Sequence, residues 1–215
     1  MSEINLNNDN IIREREIKYL VHGKTSLDEI LKALLCDGFE IANPPRVKHK
    51  DEIYYDDKNY TILNRGDVLR ESNHRVDNKH IHEFMYKMQN SNAEKPYVEK
   101  IEIRAKLNTI DEFKALFGSE IPQDIKPVLR ASMERNFATV KKADLLIIIT
   151  LDKTKYTKGE QSFTELMVEF EDISDIESDS QFDYIDKLVQ QSRLPLELTK
   201  QSKYERGYLN FNRNS

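Results

Sequence analysis

Glu14, Glu16 and Lys18 stand two residues apart. On a strand, side chains alternate between faces, so all three project from one side. The segment from Phe163 to Asp172 repeats the pattern. Leu166, Val168 and Phe170 share one face, and Glu165, Met167, Glu169 and Glu171 share the other. Carboxylates stacked on one strand face repel each other. In water the cost is small, but in an enclosed space it is large unless cations sit among them. Cations are at hand in other strand-like segments: Arg70, Lys87, Lys100, Arg104, Arg130 and Arg135. Clustered carboxylates suit a hard divalent metal, and Lys and Arg suit a polyanion.

The same alternation has a plainer origin. A half-exposed antiparallel sheet also shows one charged face, turned to water. Which origin applies depends on the elements that carry these residues. Ser26 with Glu29 forms a capping box before the stripe Leu27, Ile30, Leu31, Leu34 and Leu35, and Gly38 follows as a stop. Thr109 with Glu112 repeats the box before Ile110, Phe113, Leu116 and Phe117, with Gly118 as the stop. A third helix is predicted from about Asp179 to Arg193, closed by Pro195. Most of the remainder has strand character, near 11–21, 46–55, 67–73, 81–89, 97–106, 128–139, 144–154 and 162–172. Short connections and few helices make the sheet mainly antiparallel, and eight strands can close into a barrel. The expected fold class is therefore α+β: an eight-stranded antiparallel β-barrel with helices packed outside. An apolar exterior would then surround an ionic interior.

Glu14-Arg15-Glu16-Ile17-Lys18 resembles the ExExK signature of the CYTH family, the triphosphate tunnel metalloenzymes. Further stretches resemble later family motifs in order. These are Tyr54-Tyr55-Asp56-Asp57, Gly66-Asp67-Val68-Leu69-Arg70, Phe84 to Lys87, Met133 to Phe137, Ile149 to Asp152, Thr164 to Glu171 and Ser202 to Gly207. Together they run from about residue 12 to 208. The chain departs from the family pattern twice. Met167 stands two residues after Glu165, which leaves open which of Glu165, Glu169 and Glu171 bind metal. Ser72 takes the place of a second Arg on the "LR" strand, which implies either a weaker phosphate grip there or Arg75 as a substitute.

The resemblance implies a metal-dependent hydrolase of short triphosphates, with inorganic tripolyphosphate cut to pyrophosphate and phosphate. It implies Mg²⁺ or Mn²⁺ as cofactor, held by Glu14, Glu16, Asp152, Glu165 and Glu169. Lys18, Arg70, Lys87, Arg135 and Lys203 would bind the triphosphate, and Glu14, Glu16 and Lys18 would serve catalysis. The alternatives are a class IV adenylyl cyclase, a thiamine triphosphatase, or a non-catalytic polyphosphate- or nucleotide-binding module. Some stretches also resemble the polyphosphate polymerase domain of vacuolar transporter chaperones, which normally accompanies membrane segments. Arg13 and Arg15 alternate with the acidic set and are expected to point outward. His22, His49, His74, His80 and His82 are expected in loops or at strand edges, and Tyr54 and Tyr55 in core and rim.

Composition narrows the classes. The chain has 215 residues, with 33 Lys plus Arg against 38 Asp plus Glu, a net charge of −5 that argues against a nucleic-acid binder held by bulk charge. Cys36 is the one cysteine, so an intrachain disulfide and a cysteine zinc site are excluded, and a reducing, cytoplasmic setting is expected. The longest aliphatic run, Leu145 to Ile149, is far short of a membrane span. Residues 1–10 are polar and are expected to be a disordered segment ahead of a single domain over 11–215, and the acidic stretch from Glu171 to Asp179 reads as loop or fray. The expected partner is a small-molecule triphosphate, with no nucleic acid and no membrane; a homodimer is left open.

Overall fold

The computed structural model describes residues 11–76, 79–90, 95–174 and 179–213; the expected disordered segment 1–10 and residues 175–178 of the acidic stretch lie outside them. Eight long strands form the frame: β1 (Ile11–Val21), β2 (Glu40–Asp56), β3 (Val68–Val76), β4 (Lys79–Gln89), β5 (Val98–Ala105), β6 (Lys126–Lys142), β7 (Leu145–Lys158) and β8 (Gln161–Asp172). Their order is β5-β4-β3-β2-β6-β7-β8-β1, and β1 pairs again with β5, so the sheet closes into an antiparallel barrel. A short ninth strand, β9 (Leu196–Thr199), lies beside the Lys18–Val21 end of β1, beyond the part paired with β5.

Closure explains the charge pattern. The outward faces are apolar and covered. Helices α1 (Leu27–Cys36) and α4 (Asp179–Ser192) lay Ile30, Leu34, Phe182 and Ile185 over Ile17, Ile149, Val168 and Phe170. Helix α3 (Ile110–Ala115) packs Phe113 against Leu69, Phe84 and Tyr86. Both expected capping boxes are formed, Ser26 with Glu29 and Thr109 with Glu112. Arg15 points outward as expected but is buried, lying 5.0 Å from the ring centres of Tyr97 and Phe182 and bridging to Asp172 and Asp179. The ionic faces turn into the barrel; they are not solvated faces of an open sheet.

The observed elements differ from the expected ones in instructive places. Strand β2 begins six residues earlier than its alternation predicts, because register shifts between Ile41 and Arg46 accommodate Pro44 and Pro45. The stretch read as loop from Glu171 starts instead as the last two residues of β8. A one-turn helix α2 (Thr61–Asn64) is held by Asp56 and Asp57, whose carboxylates accept backbone N–H groups of Thr61, Ile62 and Leu63. The last helix, α5 (Lys203–Arg213), was absent from the expected elements, yet the sequence holds its signal: Ser202, three residues before Glu205, accepts that residue's N–H.

Helix α5 decides the shape of the interior. Tyr204 and Phe211 pack on Tyr54, Val68, Leu129 and Tyr156, which are inward residues at one end of the barrel. Tyr204 stacks on Tyr54 with ring centres 5.3 Å apart, and its hydroxyl donates to Asp56 at 2.9 Å. Gly207 makes the fit possible, since a Cβ there would meet Leu129 at 2.4 Å and Tyr156 at 2.9 Å. That end of the tunnel is therefore stopped by apolar and aromatic groups.

Candidate functional site

Above the α5 stopper the lumen is lined by charge. Glu14, Glu16, Lys18, Lys50, Arg70, Lys87, Lys100, Arg104, Arg135, Glu169, Glu171 and Lys203 share one pocket. The cations come from six of the barrel strands and α5, so only closure brings them together.

Each expected phosphate-binding side chain holds a carboxylate. Lys18 lies 2.6 Å from Glu16. Arg70 lies 2.9 Å from Glu52, which also accepts the Tyr54 hydroxyl at 2.7 Å. Lys87 bonds Glu14 and lies 2.8 Å from Glu102. Arg135 grips Asp152 through two nitrogens at 2.8 and 2.6 Å and reaches Glu169 at 3.0 Å. Lys203, carried in by the first turn of α5, lies 2.5 Å from Glu169 and 2.9 Å from Asp152. Glu52 and Glu102, fully buried partners in these pairs, escaped the sequence reading. Their signal was the same inward alternation, on β2 and β5, that marked Glu14 and Glu16.

The electrostatics divide the carboxylates into two groups. Burial disfavours the charge of Glu52, but Arg70 and Lys50 overcome it and hold the carboxyl at about 2. Glu102 is likewise held at about 2 against burial by Lys87 and Arg104. Glu169 lies well below the usual carboxylate range because Lys203, Lys18 and Arg135 surround it despite its burial. Glu16 behaves oppositely: burial and the neighbouring Glu14 push it up. Burial, Glu14 and Glu16 push Glu171 up to about 7. Glu171 has no ion pair among the described residues.

These two groups test the expected metal ligands. Glu14, Glu16 and Glu171 supply only oxygen donors on the adjacent strands β1 and β8, and two of them are under-compensated, which fits a hard divalent cation. Asp152 and Glu169 are instead neutralised by Arg135 and Lys203. Glu165 lies outside the charged pocket and is gripped by Arg206 of α5, with Nε–Oε distances of 3.1 and 3.3 Å. Of the three carboxylates left open, Glu171 and Glu169 join the lumen, and Glu165 does not. Among the described residues no three acidic, His or Cys side chains converge tightly as they stand.

Two further expectations are corrected. Arg75 does not replace the missing second Arg of β3: it is exposed and alternates onto the face opposite Arg70. Lys50 and Lys100 add cations to the lumen instead, and neither has an ion pair among the described residues. His74, expected at an edge, is buried on the inward row of β3 beside Lys50.

No protein-family model and no curated protein matches the sequence significantly. Solved structures do match in shape. The PH1819 protein of Pyrococcus horikoshii OT3 is 18% identical with a TM-score of 0.60, over 93% of this chain and 99% of that one. HpAC1 from Hippeastrum, provisionally named an adenylyl cyclase and described as having a dominant triphosphatase activity, is 13% identical with a TM-score of 0.57, over 92% and 96% of the two chains. The RNA triphosphatase domain of a mimivirus mRNA capping enzyme is 12% identical with a TM-score of 0.52, over 87% and 91%. These neighbours are CYTH-type proteins, so the resemblance carried by Glu14 to Lys18 and the later motifs holds at the level of the fold. No described helix is long and apolar enough to cross a membrane.

Proposed function

We propose that this protein is a divalent-metal-dependent triphosphatase that cleaves inorganic tripolyphosphate to pyrophosphate and phosphate. One observation carries the reading. Lys18, Arg70, Lys87, Arg135 and Lys203 converge from five different elements on one enclosed lumen, opposite under-compensated carboxylates. Five cations in a closed sleeve match a linear polyanion better than a compact single phosphate. Arg supplies a two-pronged grip and Lys a point charge.

Glu14, Glu16 and Glu171 would hold Mg²⁺ or Mn²⁺, which supplies charge neutralisation on the phosphoryl oxygens and a more acidic water. The chain itself does the positioning. On substrate entry, Lys18, Lys87 and Lys203 exchange carboxylate partners for phosphate oxygens, so each cation is already aimed into the lumen. Phosphoryl transfer asks for little more than alignment and charge stabilisation. The HpAC1 description supports hydrolysis in this fold, and the walls of the pocket are predominantly polar. A cyclase would need an apolar nucleoside slot, which this lining does not offer.

The test is a panel of tripolyphosphate, thiamine triphosphate and ATP with Mg²⁺ or Mn²⁺, the products resolved by ³¹P NMR. Pyrophosphate plus phosphate from tripolyphosphate, faster than ATP is consumed, is the expected result. Cyclic AMP from ATP with inert tripolyphosphate would replace the hydrolase by the cyclase.

A further inference from the structure

The tunnel is blocked at one end by Tyr54, Tyr204 and Phe211, so a substrate longer than the cradle can extend only towards the other end. What stands there is more positive charge. Lys50 pairs in register with His74, and Lys48 pairs with Arg135, one and two steps along β2 from Glu52, away from α5. Lys48 and Lys50, like Lys100 on β5, have no ion pair among the described residues, whereas Lys18, Arg70, Lys87, Arg135 and Lys203 each have one. His74 is buried with its Nδ1 lacking any hydrogen-bond partner among the described residues. On the outer face of the same strands, away from the lumen, lies a separate cleft of about 820 Å³ lined by His49, Asp51, Arg75 and His80.

We propose that this cationic wall of β2 and β3 is a second anion subsite, which receives the extra phosphates of linear polyphosphates longer than tripolyphosphate. The inference rests on reading the lumen as a triphosphate site. The unpaired state of these groups is costly without a ligand. Burial and the charges of Arg135 and Arg70 lower Lys50 to about 7, and burial with Lys48 and Lys50 lowers His74 to about 4. Of the acidic groups nearby, Glu83 acts on Lys48 without forming an ion pair with it, and Asp51 stands on the cleft side of β2. A phosphate chain supplies an anionic oxygen at each repeat, so it can satisfy Lys48, Lys50 and His74 in succession. A nucleoside at the same place would leave Lys48 and Lys50 unpaired.

The experiment compares tripolyphosphate with linear pentaphosphate on the full chain. Initial rates are taken with Mg²⁺, and equilibrium binding is measured by calorimetry in EDTA, where no turnover is needed. Sliding a three-phosphate window along five phosphates favours the longer chain by only about threefold, so the expected gain is at least about tenfold. Lys48→Ala and Lys48→Glu should remove that gain and leave tripolyphosphate within twofold of wild type; His74→Gln should reduce it. Equal affinity for the two chains, or a gain that survives Lys48→Glu, overturns the proposal. So does ATP binding more tightly than pentaphosphate, which would assign the mouth to a nucleoside. A chain-length effect in binding without any turnover would sink the hydrolase and leave the second subsite standing.

Discussion

Glu16 on β1 and Glu171 on β8 are direct cross-strand partners inside the barrel, and Glu16 adds to the push that raises Glu171. Glu16 leans on Lys18 at 2.6 Å, while Glu171 has no ion pair among the described residues. Two like charges in register destabilise a sheet. Their persistence at the wall facing the cationic cradle is what a divalent ion would relieve.

EDTA should therefore abolish tripolyphosphate hydrolysis, and Mg²⁺ or Mn²⁺ should restore it. Glu16→Gln and Glu171→Gln should each raise the metal concentration needed for half-maximal rate by at least tenfold, about 1.4 kcal/mol. Metal titrations on the two variants check this. A wild-type response from Glu171→Gln would remove that residue from the metal ligands.

Glu165→Gln should behave differently. Its carboxylate serves Arg206 and so ties β8 to α5. The change should lower the melting temperature with little effect on metal dependence. A shifted metal titration in this variant would place Glu165 among the ligands after all.

Gly207→Ala probes the stopper. The added methyl collides with Leu129 and Tyr156, and such overpacking costs about 1–3 kcal/mol. Relief by outward movement of α5 would withdraw Lys203, one turn earlier on the same helix. The expected result is a raised KM for tripolyphosphate together with a lower melting temperature. A normal KM in a destabilised protein would show that Lys203 does not depend on the seating of α5.

The lowered Lys50 gives a pH dependence of definite sign. Burial comes first among its causes, then Arg135 and Arg70, and together they bring it to about 7. A bound polyanion favours its charged form, so binding above pH 7 must take up a proton. Affinity for linear pentaphosphate should fall as pH rises from 7 towards 10, and below 7 this contribution should vanish. In the protein alone the same shift means that the unfolded chain binds more protons between about 7 and 10.5, so this group's penalty on stability fades as pH rises through that window. Calorimetry at pH 8 in buffers of differing ionisation enthalpy measures the uptake. An uptake unchanged in Lys50→Met would refute the assignment.

The alternation of Glu14, Glu16 and Lys18, and of Glu165 to Glu171, established by itself which side chains share a strand face, because the pleat is a local property with a period of two. The capping boxes at Ser26 and Thr109 marked two helices for the same local reason, and Ser202, whose hydroxyl accepts the Glu205 N–H, carried a third cap unread. What alternation left undecided was whether the charged face meets water or itself. Only the pairing of β1 with β5, from opposite ends of the sheet order, turned it inward. Burial then raised the cost of every unpaired charge and sorted the carboxylates. Glu169 and Asp152 went to Arg135 and Lys203, Glu165 to Arg206, and Glu171 was left facing Glu16. Those partnerships join residues up to 50 positions or more apart, as Lys203 and Asp152 are. They are set by the barrel's register and by where α5 enters it. No rule of spacing along the chain contains that information.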